Sequence, residues 1–88
     1  MQAKTWNVEI YLTEDGPQTR AEAVLRTDAG TELRRSGTAR RSPRDRDVPE
    51  IGDELAACRA LNELTHALFE ASVMDVEDNV RGGASFSL

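Results

Sequence analysis

Few side chains in this sequence could do chemistry. His66 is the only histidine, and Glu63 and Glu70 share with it one flank of a predicted helix. A metal site needs three or four converging ligands, so this flank is more typical of a solvated helix face. Cys58 is the only cysteine, and no histidine lies near it in the sequence to activate it as a nucleophile. No glycine pattern is typical of a phosphate-binding loop. These residues do not indicate an enzyme, a metal or a cofactor.

The strongest chemical signal is a cluster of six arginines within residues 34–46, accompanied by one acid, Asp45. Planar guanidinium groups bind phosphate through paired N–H donors. Double-stranded RNA is read mostly by shape and backbone, so such a cluster suffices without base-reading residues. The candidate RNA- or phosphate-binding residues are Arg34, Arg40, Arg41, Arg44 and Arg46. The residues alone support a second interpretation equally well. In it, the arginines keep the strand end soluble and form ion pairs with the acids at the start of the next helix.

The charge is unevenly distributed along the chain. The net charge is −5, but residues 1–46 carry a net +2 and residues 47–88 a net −7. Such a dipolar chain can present a basic patch despite its acidic total. The single cysteine excludes an internal disulfide, which fits a reducing compartment. With no long apolar run and no leader-like segment, we expect a cytoplasmic protein without a membrane partner.

The length of 88 residues predicts one small domain. We expect it to cover residues 1–81, followed by a flexible tail over residues 82–88. A domain of this size buries only about 60–65% of its unfolded surface and is therefore marginally stable alone. A three-stranded sheet would also expose a strand edge. Both considerations predict a symmetric homodimer, although the sequence does not tell which edge pairs.

Alternating polar and apolar residues predict three strands, at about residues 5–13, 19–26 and 32–41. Trp6, Val8, Ile10 and Leu12 share one face of the first strand, and we expect Trp6 in the core. Turn residues separate the strands. The third strand is the weakest prediction, because Arg35 falls on its inner face. Either its guanidinium reaches water at the rim, or a bulge shifts the register.

One long helix is predicted after the arginine cluster. Asp47 and Glu50 have capping-box spacing, and Pro49 is tolerated in a first turn. Small residues on the inner strand faces leave a trough for the helix. They are Ala21, Ala23, Gly37 and Ala39. The helix stripe expected to fill it is Ile51, Leu55, Cys58, Leu61, Thr65, Leu68, Phe69 and Ser72, and Leu64 is expected to widen this apolar face. A bend is expected near residue 72, with a short helix to about residue 79. The predicted fold class is α+β, a three-stranded antiparallel meander followed by one long C-terminal helix (β-β-β-α).

The segment around the helix start resembles a known family. It runs from Pro43 through the ungapped stretch Val48, Pro49, Glu50, Ile51, Gly52, Asp53, Glu54 and Leu55, and continues with Arg59, Ala60, Leu61 and Leu64. This pattern is similar to a small actinobacterial family of unknown function, whose best-known members are induced by hypoxia and dormancy in mycobacteria. The likeness covers nearly the whole chain up to about Arg81.

The resemblance implies a fold like that of double-stranded-RNA-binding domains, usually dimeric, with a shape likened to ribosome hibernation-promoting factors. It implies no enzymatic activity. The stretch Val48 to Leu55 is then a structural signature that fixes the strand-to-helix corner.

Residues and resemblance together predict a non-enzymatic stress or dormancy protein. We expect it to bind ribosomes or ribosomal RNA as a homodimer, without a small-molecule substrate. The alternative is a protein–protein adaptor that uses the sheet edge and the acidic helix and binds no RNA.

Overall fold

The computed structural model describes residues 1–42 and 48–81. Three strands are followed by one helix: β1 (Asn7–Asp15), β2 (Gln18–Arg26), β3 (Glu32–Arg40) and α1 (Pro49–Arg81). The strands form one antiparallel sheet in the order β1-β2-β3. The α+β prediction of a β-β-β-α fold is confirmed. The tail expected over residues 82–88 lies outside the described residues, as does Asp47, the expected helix cap.

Two short turns set the register of the sheet. Gly16 and Gly30 have φ angles of 59° and 85°, which only glycine adopts without strain. The first turn places Asp15 opposite Gln18, and the pairing then continues without interruption to the other end of both strands. After β3, the Arg41 N–H donates to the Pro17 carbonyl at 2.8 Å, which ties the end of β3 to this turn.

β3 pairs with β2 without a bulge, so the uncertain third strand keeps one register throughout. Arg35 lies opposite Ala23 on the inner face of the sheet. Its side chain is nevertheless exposed, because β3 is an edge strand and a long side chain can reach around it. Of the two sequence interpretations of Arg35, the exposed rim position is therefore confirmed.

α1 packs across β2 and β3 and scarcely touches β1. The contact is made mainly by small side chains. The buried cluster consists of Ala21, Ala23, Leu25, Ala39, Ala56, Ala60 and Leu64. A methyl group built on Gly37 would lie 2.7 Å from the carbonyl carbon of Arg59, so at this point the helix backbone rests directly on the strand backbone. The predicted trough of small residues exists, and it brings the helix very close.

The expected helix stripe was wrong in its orientation. The side chains that face the sheet are Ala56, Ala60, Leu64 and Ala67. Leu61 is 39% exposed, and Phe69 and Cys58 are exposed as well. The reason is the close approach at Gly37, which alanine permits and larger residues of the expected stripe do not. Trp6, expected in the core, is 50% exposed because no element covers β1.

The expected bend near residue 72 is absent, and α1 is continuous over 33 residues. The Ser72 hydroxyl donates to the Phe69 carbonyl at 2.7 Å, within the helix, and so does not cap a new one. A helix of this length spans roughly 50 Å, against roughly 30 Å for each strand. The second half of α1 therefore extends past the sheet, consistent with a longest dimension of 58 Å. Within residues 1–42 and 48–81, no helix is apolar over a length that would cross a membrane.

The close approach at Gly37 predicts a large effect of adding a side chain there. Gly37→Val should destabilise the protein by about 1–3 kcal/mol or more, since the added atoms meet helix backbone. Ser36→Val is the matched control, because Ser36 is exposed on the opposite face of the same strand. It should change stability by no more than about 0.5 kcal/mol. Urea unfolding followed by circular dichroism measures both, and equal midpoints would contradict the observed packing.

The helix orientation predicts different costs for two neighbouring leucines. Leu64 is 5% exposed and packs in the core, so Leu64→Ala should cost about 2–5 kcal/mol. Leu61 lies on the flank of the helix, so Leu61→Ala should cost clearly less. The comparison is made by denaturant unfolding at equal protein concentration. A larger loss for Leu61→Ala than for Leu64→Ala would mean that the other helix face is buried.

Candidate functional site

The structure divides the arginine cluster among different surfaces. Arg34 and Arg40 lie on the outer face of the sheet, six positions apart along β3, roughly 20 Å. Arg35 belongs to the inner face, and Arg41 follows the strand end. Arg44 and Arg46 lie outside the described residues. The described candidates therefore do not form a single patch.

Arg34 is held by acids on the outer face. Its guanidinium donates to the carboxylate of Glu22, and a second nitrogen lies 3.4 Å from Glu32 Oε1. Glu22 is on the neighbouring strand and Glu32 is two residues away on the same strand. Because two carboxylates already surround Arg34, phosphate would have to displace them. This side chain is a poor candidate for RNA contact.

The same pattern extends across the sheet. Arg26 pairs with Glu9 of β1, and its Nε lies 3.4 Å from Glu32 Oε1. Beneath these side chains, Val24 is fully buried although it lies on the outer face. We call these residues (Glu9, Glu22, Val24, Arg26, Glu32 and Arg34) the paired-charge face. With three carboxylates and two guanidinium groups it carries a net charge of −1, and it offers no net attraction to a polyanion.

Two arginines bind backbone carbonyls along the free edge of β3. Arg35 Nη1 donates to the Arg34 carbonyl at 2.7 Å, and Arg59 Nη1, from α1, donates to the Thr38 carbonyl at 2.7 Å. These carbonyls would otherwise be available to another strand. Sequence reasoning placed Arg59 only in the family signature. Its role follows from its position on the helix beside Gly37, because this position brings its guanidinium within reach of the β3 carbonyls. The helix register, once known, would have predicted this contact.

Arg40 and Arg41 lie at the corner between β3 and α1. A cavity of about 420 Å³ opens there, between the first turn, the end of β3 and the first turns of the helix. Its lining residues are Glu14, Gly16, Pro17, Thr19, Ala39, Arg40, Arg41, Val48, Pro49, Ile51, Gly52 and Leu55. Arg40 is exposed, and within the described ranges it has no ion pair. The N-terminus of a long helix adds partial positive charge to this corner.

Signature residues form one wall of the cavity. A methyl group on Gly52 would lie 2.9 Å from the Thr19 hydroxyl, so glycine lets the helix start lie close to β2. Val48, Ile51 and Leu55 are 41%, 55% and 46% exposed. Glu50 and Glu54 are exposed, and Asp53 is half-buried. The close approach at Gly52 agrees with a structural role for this residue. The exposed side chains of Val48, Ile51 and Leu55 form an apolar surface that another molecule could contact.

The other chemically interesting residues do not converge. His66, Glu63 and Glu70 are exposed on α1, and Cys58 is exposed where a core thiol was expected. Over residues 1–42 and 48–81, no group of three or more metal-binding side chains comes together.

The paired-charge face has one measurable electrostatic consequence. The Tyr11 hydroxyl donates to Glu9 Oε2 at 2.7 Å, and together with the nearby Arg26 charge it lowers the pKa of Glu9 below its usual 4.5. A lowered pKa means that these interactions favour the carboxylate. Their contribution to stability is present above pH 4.5 and is lost as the pH falls through the lowered value.

Tyr11→Phe should raise the pKa of Glu9 toward its usual value, because it removes the largest cause of the lowering. Arg26→Gln should also raise it, by removing the nearby positive charge. Titration of the Glu9 carboxyl carbon by NMR measures both shifts. A pKa that stays the same in both variants would mean that the hydrogen bond and the ion pair do not persist in solution.

The comparisons with known proteins agree with this structure. Residues 4–84 match the family described as Rv2632c-like. The chain is 46% identical over 72 residues to the uncharacterized protein Mb1767 of Mycobacterium bovis, covering 82% of this chain and 76% of that protein. It is 40% identical over 74 residues to the uncharacterized protein Rv2632c of Mycobacterium tuberculosis, covering 84% and 78%. The crystal structure of Rv2632c matches with a TM-score of 0.81 and 38% identity, over 90% of this chain and 93% of that chain. With its sequence matched almost throughout and its fold shared, the chain belongs to the Rv2632c-like family.

Proposed function

We propose that the protein is a non-enzymatic, cytoplasmic stress or dormancy protein that binds ribosomes or other structured RNA through the corner between β3 and α1. The observation that carries the proposal is the position of Arg40. It is exposed, it is in no ion pair among the described residues, and it lies with Arg41 beside the start of a 33-residue helix. Arg44 and Arg46 follow within five residues in the sequence.

A phosphate at this corner would meet several favourable groups at once. Guanidinium groups donate paired N–H groups to phosphate oxygens, and a helix N-terminus attracts anions. Glu14, Glu50 and Glu54 oppose this attraction locally. The acids of the second half of the helix are distant, since Asp75 lies roughly 40 Å along the axis from Pro49. Of the nine acids of residues 47–88, four lie on the second half of the helix: Glu70, Asp75, Glu77 and Asp78. Only this part of the negative charge is separated from the proposed contact, since Asp47, Glu50, Asp53 and Glu54 are close in sequence to the helix start.

The stress and dormancy role and the ribosomal target are supported by resemblance. The β-β-β-α order is similar to that of double-stranded-RNA-binding domains, and the shape of the family has been likened to hibernation-promoting factors. Such binding needs no catalytic group. We also propose that the protein acts as a homodimer, which would present the basic corner twice.

A second candidate function is that of a protein–protein adaptor without RNA binding. The observation that favours it is a row of exposed apolar side chains on β1 and just before it: Trp6, Val8, Ile10 and Leu12, each 37–50% exposed. A patch of this kind marks an interaction surface more often than a solvated one.

The proposal predicts that removing Arg40 and Arg41 weakens RNA binding. Phosphate contacts release counterions, so affinity for a 20-base-pair RNA duplex should fall steeply with salt. The double variant Arg40→Ala, Arg41→Ala should reduce the slope of log affinity against log salt by about two. Arg34→Ala is the matched control, because its paired guanidinium should contribute little. Fluorescence anisotropy measures the slopes, after circular dichroism has confirmed folding.

Ribosome association is tested on sucrose gradients of stressed-cell lysate at low salt. Wild type and Arg34→Ala should co-sediment with ribosomes, and the double variant should remain in the soluble fractions. If the wild-type protein stays in the soluble fractions and binds no RNA duplex, the RNA-binding proposal is wrong, and the adaptor function becomes the better explanation. If Arg34→Ala loses RNA binding and the double variant retains it, the RNA contacts the paired-charge face and not the corner.

A further inference from the structure

We infer that β1 is the strand through which a second copy of this chain binds, by antiparallel pairing of β1 with β1 about a two-fold axis at Ile10. The inference rests on the homodimer of the proposed function and specifies its interface. It is carried by three features of the described residues: the unequal strand edges, the uncovered apolar face of β1, and the sequence of β1 itself.

The two edges of the sheet are not equally available. On β3, the side chains of Arg35 and Arg59 occupy the carbonyls of Arg34 and Thr38. No side chain of the described residues forms a hydrogen bond with the backbone of β1. Alternate residues of an antiparallel edge strand direct their N–H and C=O groups away from the sheet. β1 is therefore the open edge, along nine residues.

The inner face of β1 is apolar and lacks a partner within the chain. Trp6, Val8, Ile10 and Leu12 are 50%, 46%, 37% and 46% exposed, because α1 lies over β2 and β3. Leu61 and Leu68, each partly exposed, are further apolar side chains of α1 that the sheet does not cover. The radius of gyration is 17.6 Å, against roughly 12 Å for a compact chain of this length. One copy alone thus leaves apolar surface in water that a partner can remove.

The sequence of β1 is self-complementary when Ile10 lies on the two-fold axis. Ile10 then faces its own copy, and Val8 faces Leu12 of the second chain. On the outer face, Glu9 faces Tyr11, whose hydroxyl already donates to Glu9 within one chain. Between Asn7 and Thr13 every inner pair is apolar, and no like charges stand opposite each other. Beyond this stretch, Trp6 faces Glu14 of the second chain. Continued pairing would bring Lys4, the only lysine, beside the turn that follows Asp15 of the second chain.

Neighbouring registers are less favourable. An axis at Glu9 places two glutamates directly opposite each other, which destabilises a sheet. An axis at Tyr11 places Val8 opposite Glu14, and an axis at Leu12 places Ile10 opposite Glu14. Each shift either opposes like charges or places an apolar residue of β1 opposite a carboxylate. In the Ile10 register the corresponding pair, Trp6 with Glu14, involves a residue that precedes β1. A second copy in the Ile10 register is the occupant that the chemistry of this edge fits best.

The resulting assembly would be a continuous six-stranded sheet with both helices on one face. Because the two β1 strands run in opposite directions, the two β3–α1 corners would lie at opposite ends of the sheet. A target with phosphates at two separated positions could then contact both corners of one dimer. This geometry follows from the pairing and requires no movement within either chain.

Cysteine cross-linking of the full chain tests the register. All variants carry Cys58→Ser, which removes the native thiol. Ile10→Cys should give a disulfide-linked dimer under mild oxidation, since paired residues across antiparallel strands lie within disulfide range. Val8→Cys alone and Leu12→Cys alone should give little dimer. A mixture of the Val8→Cys and Leu12→Cys chains should give the cross-linked dimer. Circular dichroism checks that each variant folds.

Light scattering of the unmodified protein distinguishes a wrong β1 register from the absence of a homodimer. A dimer mass together with the expected cross-links supports the inference. A dimer mass with efficient cross-linking of Val8→Cys or Leu12→Cys alone, or with none from Ile10→Cys, overturns the β1 register while leaving the homodimer in place. A monomer mass at micromolar concentration overturns both. RNA binding is measured separately, so its loss or presence does not affect this result.

Discussion

The contact on which the rest of this structure depends is the approach of the α1 backbone to Gly37. The neighbouring strand positions Ala21, Ala23 and Ala39 are small, and the helix presents Ala56 and Ala60 in return. Small residues on both sides let two regular elements pack at close range, with little room for any larger side chain. This contact fixes which face of the helix is buried, and it also fixes where along the sheet the helix lies.

The close contact leaves other apolar residues without a place in the core. Because α1 sits over β2 and β3, the apolar row on β1 stays uncovered. Except for Leu64, the larger apolar residues of the helix remain partly exposed. A helix centred on the sheet with a leucine-rich stripe would have covered β1 and made a more self-sufficient monomer. The alanine contact thus links the internal packing of the domain to its exposed apolar surface, which is the surface next to the open edge of β1.

Sequence patterns predicted the element order well and the helix face poorly. Alternation along β1 and β2 gave strands within two residues of their observed ends, and turn residues marked both hairpins, because these signals are local. The buried helix face depends on a distant partner, and the stripe containing Leu61 and Phe69 looked stronger than the alanines that the sheet buries. Alanine is a weak hydrophobic signal, so only knowledge of the narrow trough could have favoured it. The bend expected at Ser72 failed because its hydroxyl bonds within the helix.

The arginines show why composition alone does not define a nucleic-acid surface. Within one short stretch of chain, Arg34 is neutralised by two carboxylates, Arg35 satisfies a strand carbonyl, and Arg40 remains exposed at the helix start. A guanidinium that already has a carboxylate partner gains little by exchanging it for phosphate, because one charged hydrogen bond replaces another. What matters for an anionic partner is therefore an exposed arginine beside a helix N-terminus that has no ion pair among the described residues. By this criterion the β3–α1 corner is the better candidate for phosphate, and the paired-charge face is a poor one. An acidic protein can in this way keep one local basic contact.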